Sequence, residues 1–276
     1  MRTRCFRLAA CRPLLGLAVL CLTNTGAWAG GGPDEGPNGI SSADVPGLLE
    51  EAKALQLQYR ESAALARYEQ ILGTFPRNYD ALWQAAVLSV SIGTRYSDES
   101  RRGAYYTSAR QLADRAYAVN PRGGEANYAV ALTLAQQATI RSARDRLSLY
   151  KSMKGYVNRA VEYSPYLPQA WQILGRWHYR VAHLNLVERA YCRLFLGGPP
   201  TGASNTKAME ALRRAKFLDQ CRIQYCYDLA RVYHNQRLHS AAIEVLREAA
   251  ELQPMTGEEL ETSRRCRNLL EQLERK

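Results

Sequence analysis

From Leu48 onward, apolar residues return every three or four positions, a rhythm that lays one apolar stripe along each of a succession of helices. No segment alternates Val, Ile and Thr with polar residues as a half-buried strand would. The clearest stretch runs from Ile223 to Thr256. There Leu229, Ala230, Tyr233, Ala242, Leu246, Ala249 and Pro254 stand at positions 7, 8, 11, 20, 24, 27 and 32 of a 34-residue unit. Small residues at positions 8, 20 and 27 let two antiparallel helices approach closely, and the larger ones fill the gaps between neighbouring pairs. The proline ends the second helix, because it lacks an amide donor and its ring clashes with the preceding turn.

The same ending recurs upstream. Ala64, Tyr68 and Pro76 mark one unit; Ala109, Ala116 and Pro121 the next; Ala160 and Pro165 a third. Ala208, Leu212 and Ala215 mark a fourth, with Gln220 in place of the proline. First helices supply Trp83 in ALWQAAVLSV, Tyr128 in ANYAVALTL, and Trp171, Leu174 and Gly175 in WQILGRWHY. This is the tetratricopeptide (TPR) pattern. One such hairpin cannot bury its own apolar face, so neighbours must stack. The stops lie 45, 44, 55 and 34 residues apart, which places insertions at Gly93–Arg102, Ile140–Leu149 and His183–Thr206. A last helix, Glu258 to Glu274, carries Leu260, Cys266, Leu269, Leu270 and Leu273 and would cap the open end. The expected fold is all-α: a TPR-like α-solenoid of helix hairpins over residues 47–276, with insertions and a C-terminal capping helix.

The first 29 residues read differently. Arg2, Arg4, Arg7 and Arg12 precede an apolar run from Leu14 to Leu22, then Ala27-Trp28-Ala29 and Gly30, with no acid before Asp34. A basic start, a short apolar region and an A-x-A site make a secretory signal peptide. Nine apolar residues span only about 14 Å as a helix, too little for a stable membrane span. An Arg-rich, acid-poor mitochondrial presequence is the alternative. Residues 30–46, opening GGGPDEGPNG, read as a flexible linker. Export to a periplasmic or extracellular space is the expectation.

Charge and cysteine content follow from that cut. The whole chain has 37 Lys and Arg against 26 Asp and Glu, a net charge of +11, of which about +7 remains after residue 29. Cys192, Cys221, Cys226 and Cys266 also remain, and an oxidising compartment would permit a disulfide among them. Cys226 and Cys266 lie on apolar stripes, where a free thiol serves as a small hydrophobe. With 46% apolar residues and 17 Tyr, the chain is too apolar to be disordered.

Catalytic chemistry is thinly represented. His178 and His183, like His234 and His239, are five residues apart, a rotation of about 140° on one helix, so neither pair suits a metal. GxSxG, P-loop, GxGxxG and CxxC patterns are absent, and Gly197-Gly198-Pro199-Pro200 lacks the Lys-Ser/Thr sequel that grips phosphate. No cofactor, metal or catalytic residue is assigned.

Two segments stand out instead. The third insertion reads as a first helix extended beyond its repeat, with Leu184, Val187, Tyr191 and Phe195 at helical spacing and Glu188–Arg189 as a buried pair. It either packs on the solenoid or forms a lid over the groove. Arg141, Arg144, Arg146, Lys151, Lys154 and Arg159 face only Asp145, a local +5 on one helix. That is a solvated face, or a docking surface for acidic peptides, phosphorylated polymers or lipid headgroups. Nucleic acid is not expected, since no stacking platform accompanies the charge.

The run Leu174-Gly175-Arg176-Trp177-His178-Tyr179, followed by Val187-Glu188-Arg189, Leu194-Phe195 and Pro199-Pro200, resembles the regulator of microtubule dynamics family. So do Ala81-Leu82-Trp83, the helix end from Ala160-Val161-Glu162 to Pro165, and the tail from Ala249 to Leu270. The resemblance covers most of residues 48–273 and implies a TPR-like fold with a binding function and no catalytic residues. The N-terminus departs from the family, with a short signal in place of a longer organellar anchor region. The expected function is a non-enzymatic, exported scaffold that holds a protein or peptide partner with acidic groups in its concave groove. Candidate contacts are Trp83, Tyr128, Trp171, Arg176, Tyr179, Arg180 and Arg189. The alternative is a carrier of a small molecule or lipid beneath the 183–206 insertion.

Overall fold

The computed structural model describes residues 41–275, so the expected signal peptide and most of the expected linker lie outside the described residues. A 3-10 turn, Ser42–Asp44, leads into α1 (Val45–Leu57), and both begin within the last residues of the expected linker. Pro46 sits in the first turn of α1, where its missing N–H has no intrahelical partner to lose. Six further helices follow: α2 (Glu61–Thr74) and α3 (Tyr79–Thr94), α4 (Glu99–Val119) and α5 (Gly124–Gln137), then α6 (Ala143–Tyr163) and α7 (Pro168–Ala182). The chain continues through α8 (Leu186–Phe195), α9 (Asn205–Leu218), α10 (Ile223–Asn235), α11 (His239–Ala250) and α12 (Gly257–Glu274). Pairs α1/α2, α3/α4, α5/α6, α7/α9 and α10/α11 are the hairpins, and α12 packs on α10 and α11 as the end cap. First helices also touch along the series α3, α5, α7, α10, α12, which makes that side the inner face of the all-α solenoid.

At three of the repeats, the residue before the proline shows why the second helix stops. Phe75, Asn120 and Ser164 have left the helical region, at φ −117°, −140° and −128°, because the following ring crowds their backbone. Asp219 adopts the same conformation, φ −141°, although Gln220 replaces the proline. The bend is therefore a property of the packed repeat, which the proline reinforces but does not create.

Alanines at the helix crossings are sealed from solvent. Ala64, Ala109, Ala116, Ala160, Ala208, Ala215, Ala242 and Ala249 are all fully buried. Around them the core forms three clusters along the chain. Trp83, Leu112 and Tyr117 pack against both the first and the second of these in chain order, so the core is continuous between repeats.

The insertions resolve in two ways. Those expected at Gly93–Arg102 and Ile140–Leu149 are absorbed mainly by longer second helices: α4 and α6 each have 21 residues, against 14 in α2 and α9. The third corrects the expectation of one prolonged helix. The chain breaks at His183–Asn185, and Asn185 starts α8 with a capping box, its side chain accepting from Glu188 N while Glu188 accepts from Asn185 N.

Gly175 marks the tightest approach of α7 to α9: a Cβ there would lie 2.5 Å from Leu212 Cγ and 3.1 Å from Ala208 O. Gly175→Ala is expected to lower the urea-unfolding free energy by about 1–3 kcal/mol through overpacking. Gly155→Ala is the matched control, because a Cβ there meets only the flexible tip of Arg159 at 3.3 Å. It is expected to raise stability by about 0.5–1 kcal/mol, as Gly-to-Ala does in a helix interior.

Candidate functional site

Along the inner face the apolar packing gives way to a hydrogen-bonded seam. On α7, Gln172 Nε2 donates to Asp228 Oδ2 of α10 at 2.6 Å, and Arg176 Nε donates to the same oxygen at 2.7 Å. Gln224 Nε2 donates to Asp228 Oδ1, and the Gln224 carbonyl accepts from Thr262 of α12. Arg222, just before the first turn of α10, pairs with Glu259 at 3.2 Å. Further along the solenoid, Tyr68 donates to Gln56 and Gln56 to Gln84. Asp228 is buried, whereas Arg176 keeps 44% of its side-chain exposure. Burial opposes the Arg176 charge, and Asp228 outweighs it, so the guanidinium is held protonated. Tyr128 of α5 lies within the field of Arg222 and Arg176, and burial pushes its hydroxyl up to about 12 despite them. The phenol of Tyr128 is thus neutral and buried, and the groups the seam leaves open are the half-exposed guanidiniums of Arg176 and Arg222.

The candidate contacts read from the sequence separate into several places. Tyr128 and Arg176 come together on the seam. Trp83 stands further along, its Nε1 donating to Asp80. Tyr179 packs on the C-terminal core cluster, its ring centroid 4.4 Å from that of His183. Arg180 is engaged by Glu188 at 2.6 Å. This corrects the expected Glu188–Arg189 pair: Glu188 is buried against Arg180, and Arg189 is exposed. Adjacent residues on a helix point about 100° apart, so Glu188 and Arg189 cannot share one face, and Glu188 meets Arg180 of α7 instead. Asp228, Gln172, Gln224 and Thr262 were missed. Their signal was Asp228, the lone acid of α10, set between Tyr227 and Leu229, which needs a partner to be buried.

Trp171 lies elsewhere, in an open recess of about 380 Å³ between α6, α7, α9 and the loop after α8. His178 and Trp177 also line it, with Lys154, Lys207 and Thr201 at its rim. Lys154 Nζ donates to Thr201 Oγ1 and Lys207 Nζ to Gly202 O, so both ammonium groups are tied to the covering loop. The buried His178 Nδ1 has no hydrogen-bond partner. Burial, reinforced by Lys207 and Lys154, pushes the His178 pKa down from 6.5 to about 4.

The basic stretch occupies α6 and the turn before it. Its inner side, Leu147, Val157 and Ala160, is buried as expected, and Tyr150 is half-buried. Arg159 lies over the Tyr156 and Tyr117 rings, and Arg144 over Tyr191. Lys151 Nζ donates to Leu196 O. Arg141, Arg144 and Lys151 are exposed, and Arg146 and Lys154 are half-buried.

Cys192, Cys226 and Cys266 are free and buried, so no disulfide joins any two of the four cysteines considered above. Burial raises the Cys226 thiol to about 11 and the Cys266 thiol to about 12, which keeps both as protonated core side chains. The His234 and His239 rings are 5.5 Å apart, because a turn with Arg237 at φ 58° intervenes; the single-helix rotation assumed from the sequence does not apply. Among the described residues, no three His, Cys, Asp or Glu side chains converge as a metal would require. No described helix is long and apolar enough to cross a membrane.

The depressed His178 pKa has a defined consequence for stability. Between pH 6.5 and about 4 the unfolded chain binds a proton at this residue and the folded chain does not. Its contribution to stability is therefore complete above pH 6.5 and falls away as the pH drops towards 4. Urea titrations across this range are expected to show a shallower fall for His178→Gln than for the native chain.

Comparison with known proteins gives this geometry a context. A family model described as regulator of microtubule dynamics protein 1-3 matches residues 48–274. Regulator of microtubule dynamics protein 3 of Bos taurus is 26% identical over 193 residues, 69% of this chain and 39% of that protein. The Xenopus laevis protein of the same name is 22% identical over 218 residues, 77% of this chain and 46% of its own length. The chain thus spans less than half the length of these curated relatives. Among solved structures, a thermophilic TPR protein of Thermus thermophilus superposes with a TM-score of 0.59 at 16% identity, covering 82% of this chain and 98% of the other. That likeness supports the TPR-like fold. With the family model matching residues 48–274 from the first hairpin through the end cap, the chain belongs to the regulator of microtubule dynamics family.

Proposed function

We propose that this protein is a non-enzymatic helical-repeat adaptor whose inner seam holds an extended or helical segment of a protein partner. The observation that carries the reading is Arg176: buried Asp228 fixes one N–H of its guanidinium, and 44% of the side chain stays exposed. A guanidinium has five N–H donors, so an acidic group on a partner can engage those that Asp228 leaves. Tyr128, close enough to feel that charge, is buried in the core behind it and backs the seam rather than offering a contact surface. A helical-repeat scaffold and membership of a family of this architecture support binding rather than catalysis.

Export is part of the proposal and rests on Arg2, Arg4, Arg7 and Arg12, the Leu14–Leu22 run and Ala27-Trp28-Ala29; import into mitochondria is the alternative. Neither destination contains microtubules, so the target in the relatives' name is not carried over.

A second reading draws on the recess beneath the loop that follows α8. Its 380 Å³, its mixed lining of two tryptophans, two lysines and Glu210, and the unpartnered His178 Nδ1 would suit a small polar molecule, making the protein a carrier.

Affinity capture from the native host's exported fraction, with this chain as bait, separates the two. The adaptor predicts a stoichiometric protein partner whose binding weakens by about 1–3 kcal/mol in Arg176→Ala combined with Asp228→Asn. The second substitution avoids leaving a buried charge unpaired. Recovery of no protein, with a small molecule released on denaturing the bait, would replace the adaptor with the carrier.

A further inference from the structure

Helix α8 is docked on the wrong side for an ordinary amphipathic helix. At about 100° per residue, Leu186, Ala190, Leu194, Val187, Tyr191 and Phe195 fill one continuous half of its circumference. A helix with such a stripe normally turns it inward. Here the residues buried against the protein are Glu188 and Cys192, on the other half. Glu188 is held by Arg180 and by its capping bond to Asn185, and Cys192 is fully buried. That anchoring leaves Leu186, Val187, Leu194 and Phe195 between 69% and 83% exposed. Leu57 and Phe217 are exposed singly on other helices, whereas α8 gathers four large apolar side chains on ten residues. Such a patch marks a surface that is covered in use.

The surroundings indicate what covers it. Arg189 and Arg193 follow the apolar arc on its flank, and both are exposed. Helix α6 runs against α8 and brings its cations alongside: Arg144 lies 5.9 Å over the Tyr191 ring, and Lys151 bonds to Leu196 O. Few acids offset them: Glu188 is buried in its pair with Arg180, and Asp145 is the lone acid among the six cations from Arg141 to Arg159. An apolar strip rimmed by unneutralised Arg and Lys is the composition of a helix that lies in the interface of an anionic membrane. Ten residues give about 15 Å of helix, too short to cross a bilayer but long enough to lie in its plane.

We infer that α8, with the basic side of α6, is a docking surface for an anionic lipid bilayer, the apolar residues entering the acyl boundary and the cations resting among the headgroups. The inner seam lies on other residues, so this surface is independent of the partner proposed above.

Sedimentation of the full chain with vesicles tests the inference. One set of vesicles is pure phosphatidylcholine, and the other contains about one part in three phosphatidylglycerol. The expected result is binding to the anionic vesicles only, reduced at least tenfold by Leu194→Asp with Phe195→Asp, and at least tenfold by raising salt from about 0.05 to about 0.5 M. Arg144→Gln with Lys151→Gln should weaken binding without altering the apolar strip. Leu186→Ser with Val187→Ser provides a second variant of that strip, and all these positions are exposed enough for the melting temperature to serve as a folding control. Binding that survives the apolar substitutions would overturn the inference and assign the membrane contact to another segment, such as Leu14–Leu22. Empty vesicle pellets would overturn it as well. If the free chain were then a dimer that the same substitutions dissociate, the strip would be the contact between two copies.

Discussion

The two helices of each hairpin meet at alanine or glycine, and that closeness sets the geometry of everything built upon it. Ala64, Ala109, Ala160, Ala208 and Ala242 are sealed completely, and at Gly175 there is no room even for a methyl group. Close approach leaves little space between the axes, so the large residues are driven to the joints between repeats. Trp83, Leu112 and Tyr117 lie there and carry the core from one cluster to the next. The repeats consequently stabilise one another as neighbours.

The same stacking forces polar chemistry onto the inner face. First helices pack directly on first helices there, and the residues that meet at their crossings include Gln172, Arg176, Asp228, Gln224 and Thr262. A buried carboxylate without partners would be costly; Asp228 receives three donors from three side chains. A seam of this kind fixes the register of α7 against α10 and holds one half-exposed guanidinium beside buried phenols. Arg176 thus belongs to the packing of the seam while part of its side chain stays exposed.

Helix α8 shows the opposite arrangement, in which one polar contact overrides an apolar stripe. Burying Leu186, Val187, Leu194 and Phe195 would release more free energy than a single partly exposed ion pair supplies. Yet the chain leaves α7 through His183–Asn185 with only a short reach, and the capping box sets the direction in which the new helix starts. Glu188 then meets Arg180 inside the structure, and the stripe is left facing outward beside the basic side of α6.

The solenoid was legible in the sequence because its signals are local and repeat: small residues at fixed offsets, a proline or its substitute after each second helix, and the capping helix from Glu258 to Glu274. The signals at Ala242, Leu246, Ala249 and Pro254 depend only on one hairpin's own geometry, which any 34-residue stretch can encode. What lay beyond it were the contacts between hairpins. Which acid would meet Arg176, that Glu188 would turn to Arg180 rather than Arg189, that Trp171 would leave the groove for a recess, and that His234 would face His239 across a turn all depend on helices and turns brought together by the fold. Periodicity states which face of a helix is apolar. Only the tertiary structure decides what that face is set against, because the direction of a helix is fixed by its caps and its neighbours rather than by its own stripe.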